Sequence, residues 1–339
     1  MRAEQSRAMI AWLVLAAVSI AGCGHDAAKP AQDKSAASGS APSPGQAAVA
    51  QPLPIVPTSE QAPPASQTGG FDGQKAYDHV AKIVAIGWRP PGSEGIHRAQ
   101  DYIRGQLQGL GCTVDEDDFH AQTPIGTVEM KNIIAKAPGT GRGIILLLTH
   151  YDTIQLKGFV GAEDGGSSTG LMLEMARALC GTKGPNAVWI AFLDGEEAFV
   201  NWQNEDDHTY GSRELAARMA LSGDLKRIKA VILADMIGQT DLSIVKEGDS
   251  TKWLTDLVWN TAARLGYATI FLPRQTVISD DHDPFLDRDV PAIDIIDLDG
   301  YRAYWHTPLD TLDKISPRSL AIVGHVILES VNELQKKQR

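Results

Sequence analysis

The sequence is poor in cysteine and carries no excess of positive charge. Its three cysteines are Cys23, Cys112 and Cys180 in a chain of 339 residues. Cys112 and Cys180 are far from the N-terminal Cys23 and can form at most one disulfide; we interpret both as free thiols. The formal net charge is -11. Because no basic stripe is present that could neutralise phosphates, nucleic acid is not expected as a partner.

A hydrophobic run long enough to cross a bilayer is also missing near the N-terminus. Arg2 and Arg7 precede an apolar run from Met9 to Ile20, which is well short of the roughly 20 apolar residues that a spanning helix needs. The run is followed by Ala21-Gly22-Cys23, the pattern of a bacterial lipoprotein cleavage site. We therefore predict a signal peptide over residues 1–23, with Cys23 as the lipidated first residue of the mature protein. Through that lipid the membrane is an expected partner, and the periplasmic or extracellular face of the bacterial envelope is the expected location.

Residues 24–70 contain almost no large apolar side chain and consist mainly of Ala, Pro, Ser and Gln. Such a composition cannot bury enough surface to offset the entropy of ordering the chain. We predict a disordered, semi-extended tether over this stretch. Residues 71–339 are numerous and apolar enough for a substantial core, and we predict a single catalytic domain there.

Helical and extended patterns alternate along residues 71–339. Helices are predicted over residues 73–87, 94–110, 167–180, 212–221, 251–265 and 317–335. Strands are predicted over residues 113–119, 128–135, 143–149, 187–193, 230–234, 268–272 and 290–296. This alternation predicts an α/β fold, a three-layer sandwich around a central, mostly parallel mixed β-sheet.

The segment 187–193 is a continuous apolar run, typical of a strand that is buried on both faces of a sheet. It leads directly into Asp194-Gly195-Glu196-Glu197. Carboxylates at the end of a buried strand lie at the sheet edge where α/β enzymes keep their active sites. There, one carboxylate can bind a metal while its neighbour moves protons. An isolated acidic pair is more often a solvated loop, so the interpretation depends on the residues at the ends of the other strands.

Polar side chains also occupy the ends of several other strands. Strand 143–149 runs into His150-Tyr151-Asp152, where Asp152 is placed to orient the ring of His150. Five potential metal ligands lie at strand ends or in loops, with Glu196 left uncommitted beside them: His150, Asp164, Glu197, Asp235 and His306. Imidazole and carboxylate ligands without cysteine suit a catalytic zinc with open coordination positions.

The order of these residues resembles that of the zinc aminopeptidases of the M28 type. The matching positions are His150-x-Asp152, Asp164, Glu196-Glu197, Asp235 and His306. The resemblance implies a phosphorylase/hydrolase-like α/β fold. It also implies that Glu196 is the general base or acid and that the five potential ligands bind metal.

A narrower resemblance is to the glutaminyl-peptide cyclotransferases, or glutaminyl cyclases, which share that fold. It covers residues from about 71 to the C-terminus. Four stretches carry it: Phe119 with Thr123-Pro124-x-Gly126; Asp194-Gly195-Glu196-Glu197-Ala198-Phe199 with Trp202 and Tyr210-Gly211-Ser212-Arg213; Asp280-Asp281-His282-x-Pro284-Phe285-Leu286; and Trp305-His306-Thr307.

The cyclase resemblance implies one zinc ion per chain, held by Asp164, Glu197 and His306. The zinc would polarise the side-chain amide of an N-terminal glutamine in a peptide or protein substrate. Glu196 would take a proton from the attacking α-amine and deliver it to the departing ammonia, which leaves pyroglutamate.

The same resemblance gives roles to four residues around the metal. Asp235 and Asp280 would be catalytic, holding the amide nitrogen and relaying hydrogen bonds. Trp202 and Trp305 would form the walls of the substrate pocket. For each tryptophan, ordinary core packing is the competing interpretation.

Three features depart from the cyclase pattern. Asp294 stands where animal cyclases have a histidine. Thr149 and Thr169 stand where the animal enzymes carry a disulfide pair. The segment from Leu298 to Tyr304 has its own sequence, so the shape of the pocket rim is not implied by the resemblance.

An aminopeptidase that removes N-terminal residues is the alternative enzyme. In that case His150 and Asp235 complete a second zinc site bridged by Asp164, and Glu196 activates a water. Because all five ligands are present, counting them does not separate the two enzymes; the cyclase-like stretches away from the metal favour the cyclase. A catalytically silent binding lipoprotein is disfavoured, since such a protein has no use for Glu196 beside a metal.

Overall fold

The computed structural model of the protein describes residues 56–298 and 303–336. The predicted signal peptide with Cys23, and the predicted tether up to residue 55, lie outside the described residues. Among the described helices, none combines the length and the hydropathy required to cross a membrane.

The described residues form helices and strands in alternation. The helices are α1 Gly73–Ile86, α2 Glu94–Leu107, α3 Ser168–Leu179, α4 Tyr210–Ser222, α5 Lys252–Arg264, α6 Asp283–Leu286 and α7 Pro317–Lys336. The strands are β1 Thr113–Thr123, β2 Gly126–Ala137, β3 Ile144–His150, β4 Ala187–Leu193, β5 Ile228–Asp235, β6 Ile244–Glu247, β7 Phe271–Thr276 and β8 Ala292–Ile296. Each predicted element is present, although β7 begins three residues later than predicted. The short elements β6 and α6 were not predicted, because four residues are too few for a periodic pattern to stand out.

The central sheet has the strand order β1-β2-β4-β3-β5-β8. Strand β3 pairs in parallel with both β4 and β5, and β5 pairs in parallel with β8. At the other side, β1 pairs antiparallel with β2, and β2 antiparallel with β4. Strands β6 and β7 form a separate parallel pair. The parallel half therefore brings the carboxyl ends of β3, β4 and β5 to one edge of the sheet.

The two faces of the sheet belong to two different hydrophobic clusters. In β3, Ile145 and Leu147 pack with residues of α1, α3 and α7. Their neighbours Leu146 and Leu148 pack instead with residues of α4. Every residue of β3 is buried, as a strand covered on both faces requires. The predicted three-layer α/β sandwich is confirmed.

The domain begins earlier than the sequence predicted. Residues 58–60 and 65–67, which we assigned to the tether, form single turns of 3₁₀ helix. Just before α7, Ser316 Oγ donates a hydrogen bond of 2.7 Å to the Glu60 carboxylate, and Thr68 is fully buried. The predicted boundary at residue 70 is therefore wrong for this stretch. Its order comes from polar contacts to the domain, which an apolar count along the sequence does not register.

The prediction that Cys112 and Cys180 are free thiols is wrong, because the two are joined in a disulfide. Cys112 immediately precedes β1 and Cys180 immediately follows α3, and their Cα atoms are 4.9 Å apart. The cysteines are 68 residues apart in sequence. The pairing depends on the packing of α3 on the sheet, which spacing alone does not reveal.

The double variant Cys112→Ser, Cys180→Ser should have a lower free energy of unfolding, by about 4 kcal/mol, since the bond closes a long loop in the unfolded chain. Urea denaturation followed by circular dichroism measures the change. As a control, a reducing agent should destabilise the wild type and leave the double variant unaffected. A double variant as stable as the oxidised wild type would show that the bond does not stabilise the fold.

Candidate active site

The carboxyl ends of the parallel strands and the loops above them enclose a cavity of about 530 Å³. Strand β3 ends in His150 and β5 in Asp235, while β4 runs into Glu196 and Glu197. The sequence-predicted residues that line the cavity are Asp164, Glu196, Glu197, Trp202, Asp235, Asp280, Trp305 and His306. His150 is fully buried beneath them, in contact with Asp164 and Asp235. The structure thus brings together all the residues that we selected from the sequence.

The side chains of Asp164, Glu197 and His306 converge into one group, and one oxygen of each carboxylate makes no hydrogen bond among the described residues. His306 Nε2 lies 3.2 Å from Asp164 Oδ2 and 3.5 Å from Glu197 Oε1. Both carboxylate oxygens are buried and have no hydrogen-bond partner among the described residues. Burying two such oxygens together without a partner is unfavourable. A metal ion would satisfy both, and two carboxylates with one imidazole form a donor set typical of catalytic zinc. These residues therefore fit a metal ion.

A tight turn at residues 163–167 presents Asp164 to this group. The Asp310 carboxylate accepts hydrogen bonds from the backbone amides of Glu163 and Asp164, at 2.8 and 3.1 Å. Gly165 comes next with a φ of +74°, and a Cβ atom there would lie 2.8 Å from the carbonyl oxygen of Asp152. Only glycine fits this turn, both for its backbone conformation and for the close approach of β3.

A second group contains His150, Asp164 and Asp235. His150 Nε2 lies 3.0 Å from Asp235 Oδ1 and 3.4 Å from Asp164 Oδ1. The group has the spacing to hold a metal ion as well. It differs from the first because His150 Nε2 and Asp235 Oδ1 form a hydrogen bond, and the amide of Met236 also donates to Asp235 Oδ1 at 2.9 Å. Its atoms are therefore largely satisfied by one another.

Asp152 lies beside His150, as predicted. Its nearest oxygen is 3.5 Å from His150 Nδ1, which makes no hydrogen bond within the described part of the chain, so the orientation of the ring by Asp152 stays a prediction. In addition, the two oxygens of the buried Asp152 carboxylate accept the backbone amides of Glu196, at 3.1 Å, and Glu197, at 3.3 Å. Asp152 thus ties the end of β3 to the backbone of both glutamates. Partners that are backbone amides leave no pattern in the sequence.

Glu196 is buried next to the first metal-binding group. Its Oε2 atom lies 3.7 Å from His150 Nδ1. Burial raises the pKa of the Glu196 carboxyl well above its ordinary value; His150 opposes this, while Glu197 and Asp280 raise the pKa further. A carboxyl group with a raised pKa can accept a proton near neutral pH and pass it on. Glu196 has the environment of a general acid/base group.

A cluster of acidic side chains extends from Asp235 through Asp280 to Asp294. All three are buried, and neither carboxyl oxygen of Asp294 has a hydrogen-bond partner among the described residues. Burial raises the pKa of Asp294 well above its ordinary value, and Asp280 and Asp235 raise it further. Neighbouring carboxylates raise one another's pKa values, because each negative charge disfavours a second one. Burial and these neighbours therefore favour the protonated form of the Asp294 carboxyl.

Two aromatic side chains contribute to the cavity walls. The indole of Trp305 stacks on the imidazole of His306, with ring centroids 3.9 Å apart and planes inclined by 22°. Trp202 lines the cavity from the loop after β4. Residues 299–302 lie outside the described part of the chain, so the rim segment 298–304 is only partly described.

A buried cation supports the site from below, and the sequence analysis missed it. The fully buried Arg89 guanidinium donates to the carbonyl oxygens of Tyr151 at 2.7 Å and Gly161 at 2.9 Å, and also to that of Val160. Burial lowers the pKa of Arg89 to about 10, with Asp152 foremost among the carboxylates that oppose the shift. The side chain is therefore charged at neutral pH and fixes the loop that connects β3 to Asp164. In the sequence Arg89 precedes Pro90 and Pro91, and nothing in that pattern indicates its role.

Hydroxyl groups stand at Thr149 and Thr169, two positions at which the sequence departs from the cyclase pattern. Thr169 Oγ1 donates to the carbonyl oxygen of His150 at 2.9 Å. Thr149 Oγ1 donates to Ser168 Oγ at 2.8 Å. The end of β3 is thus joined to the start of α3 by hydrogen bonds.

Comparisons with known proteins agree with this geometry. The model of peptidase family M28 matches residues 132–331. A glutaminyl-peptide cyclotransferase from Bothrops jararaca is 33% identical, over 72% of this chain and 78% of that protein. The structure of a glutaminyl cyclase from an Acidobacteriales bacterium is 39% identical with a TM-score of 0.74, covering 87% of this chain and 100% of that one. A Zn-dependent exopeptidase from Parabacteroides distasonis is 28% identical with a TM-score of 0.70, over 76% and 97% of the two chains.

The matched region contains β3, β4 and β5 and every candidate metal ligand, so the chain belongs to peptidase family M28. Within that family, its similarity over most of their length places it among the glutaminyl-peptide cyclotransferases.

Proposed function

We propose that this chain converts the N-terminal glutamine of peptides or proteins to pyroglutamate and releases ammonia. The observation that carries the proposal is the position of Glu196, a buried carboxyl group with a raised pKa, beside the unpaired oxygens of Asp164 and Glu197. The cyclotransferase relatives support the same reaction.

In this reaction the α-amino nitrogen bonds to the side-chain amide carbon, and the bond from that carbon to the amide nitrogen breaks. Asp164, Glu197 and His306 would hold one zinc ion, which supplies Lewis-acid polarisation of the amide oxygen. Glu196 takes the proton that the α-amine loses and gives it to the departing nitrogen, so the proton balance closes on one carboxyl group.

Asp235 and Asp280 complete the proton path in this proposal. Both line the cavity, and Asp280 raises the pKa of Glu196. A carboxyl group that holds a proton can hydrogen-bond the substrate amide, and one that lacks it can accept from the leaving ammonia. Trp202 and Trp305 enclose the glutamine side chain and keep bulk water from the amide carbon.

Glu196→Gln should keep the fold and the metal and lose most activity, because it removes the proton carrier at constant volume. Losses of about 100-fold or more in kcat are typical for a general acid/base group. A peptide that begins with glutamine serves as substrate, with ammonia release and product mass as readouts. Glu205→Gln, at an exposed position of the loop after β4, is the matched control and should retain wild-type kcat. Wild-type kcat in Glu196→Gln would refute the assigned role.

The second candidate function is a two-zinc aminopeptidase. The observation in its favour is the second ligand group, in which Asp164 would bridge the two ions. We favour one zinc because the buried oxygens without a partner at this centre, Asp164 Oδ2 and Glu197 Oε1, both face His306, whereas His150 and Asp235 are hydrogen-bonded to each other. The Zn-dependent exopeptidase among the structural neighbours keeps this alternative open to test.

Metal analysis of two variants separates these functions. With one zinc per chain, His306→Ala should lose the metal, since it removes one of three ligands. His150→Ala should keep the metal and lower activity modestly, because only the orientation of neighbouring groups changes. Two zinc ions in the wild type, falling to one in His150→Ala with loss of stepwise residue removal, would establish the aminopeptidase instead.

We propose that the protein is a lipid-anchored lipoprotein on the periplasmic or extracellular face of the bacterial envelope. The lipoprotein motif at Cys23 is one support. The Cys112–Cys180 disulfide is a second, because disulfides are rare in proteins that remain in a reducing cytosol.

Cys23→Ser should move the protein from the membrane fraction to the soluble fraction, because the lipid is attached to that thiol. Immunoblots of fractionated cells measure the distribution. Ser35→Ala, beyond the predicted cleavage site, is the control and should stay with the membrane. Retention of Cys23→Ser in the membrane would contradict the anchor.

A further inference from the structure

The loop between β4 and α4 is closed at its base by the backbone of the catalytic segment. The amide of Thr209 donates to the carbonyl oxygen of Glu196 at 2.8 Å, and that of Tyr210 donates to Gly195 at 2.7 Å. Residues 198–208, between these contacts, contribute to the cavity lining, and Trp202 is one of the contributors. The two ends of the loop are therefore joined by backbone hydrogen bonds at Gly195 and Glu196, and the loop forms one wall of the pocket.

A single buried carboxylate organises the backbone of this loop. Oδ1 of Asp207 accepts hydrogen bonds from the Phe199 amide at 3.1 Å and the Tyr210 hydroxyl at 2.9 Å. Oδ2 accepts the amides of Val200 at 2.9 Å and Asn201 at 2.8 Å. Asp207 is 1% exposed. Four donors thus converge on one buried carboxylate, which fixes the backbone of a surface loop at several points.

The next residue, His208, supports the indole of Trp202. The two rings are stacked, with centroids 4.2 Å apart and planes inclined by 15°. His208 is almost fully buried, and its Nδ1 atom makes no hydrogen bond within the described residues. Burial lowers the pKa of His208, and Arg213 lowers it further, so the ring is neutral at neutral pH. The contribution of the imidazole at this position is the flat surface on which the Trp202 indole stacks.

We propose that Asp207 and His208 are positioning residues for substrate binding: Asp207 fixes the loop backbone, and His208 holds the Trp202 indole as a wall against the glutamine side chain. Neither residue belongs to the two groups that could hold metal. Their loss should therefore weaken substrate binding and leave proton transfer by Glu196 nearly intact. The inference rests on the proposed cyclisation for its kinetic readout.

The first test compares His208→Ala with His208→Phe. The alanine variant loses the stack, which corresponds to roughly a 2- to 10-fold change in equilibrium, and KM for a glutamine-initiated peptide should rise by that factor. Its kcat and zinc content should match the wild type. The phenylalanine variant keeps a flat ring and should restore KM. Wild-type KM in His208→Ala, or equal defects in both variants, would overturn the inference.

The second test replaces Asp207 with Asn, which has a single acceptor oxygen and places an amide group against two of the four donors. KM should rise at least as much as in His208→Ala. The matched control is Asp206→Asn, whose side chain is 94% exposed and which should behave as the wild type. Equal KM values in Asp207→Asn and Asp206→Asn would contradict the role of Asp207.

A third readout does not depend on activity. The fluorescence of Trp202 is obtained as the difference between a protein and its Trp202→Phe counterpart. Acrylamide should quench this difference signal more strongly in the His208→Ala background than in the His208→Phe background, because the half-buried indole then lacks the ring that covers one of its faces. Equal quenching would overturn the positioning role. If the wild type releases no ammonia but the two His208 backgrounds differ in quenching as expected, the proposed cyclisation is refuted. The positioning of Trp202 by His208 is then still supported.

Discussion

The burial of several carboxylates at one edge of the sheet is the constraint on which the rest of this structure depends. Asp164 and Glu197 are almost completely withdrawn from water, and each has an oxygen without a hydrogen-bond donor. Removing an ionised carboxylate from water costs several kcal/mol unless a positive charge or hydrogen bonds compensate. His306 alone supplies at most one proton to this group. A metal cation at this centre would compensate both oxygens, and its binding would then be coupled to the stability of the centre.

Much of the surrounding structure serves to hold these carboxylates in place. Arg89 brings a permanent positive charge beneath the site and binds the loop that leads to Asp164. Asp310 accepts hydrogen bonds from the turn that contains Asp164, and Asp152 accepts hydrogen bonds from the backbone amides of Glu196 and Glu197. In each case an ionisable side chain is hydrogen-bonded to backbone groups. Such contacts keep catalytic groups in a fixed orientation without competing for the metal.

The sequence predicted the centre of the fold well because that part is defined by burial. Strand β4 and the first five residues of β3 are unbroken apolar runs, and the points where these runs end locate Glu196 and His150 without further information. Strand β7 was predicted too early because half of its residues are exposed and only Phe271 is buried, so it carries little hydrophobic pattern. The disulfide between Cys112 and Cys180, and the ordered residues before 70, depend on contacts distant in sequence. The composition of a segment does not reveal the contacts that the segment makes with the rest of the domain.

In the candidate site, too, some residues could be predicted from the sequence and others only from the structure. The proposed metal ligands and the proposed general acid/base group belong to few residue types and lie at strand ends or in loops, and the resemblance to the cyclases implied their roles. The supporting residues Arg89 and Asp207 act on backbone amides and carbonyls, which every residue has, and so left no pattern to find. Asp294 was noticed as a departure from the cyclase pattern, but its burial beside Asp280 and Asp235, which raises its pKa, required the three-dimensional arrangement.

Anomalous diffraction at the zinc absorption edge tests the central claim most directly. Crystals of the wild-type domain should give one anomalous peak, about 2.0–2.2 Å from Asp164 Oδ2, Glu197 Oε1 and His306 Nε2. No peak should lie between His150 and Asp235. A second peak of comparable height there, or a single peak at that position alone, would contradict the account of a single cation that neutralises the unpaired carboxylates.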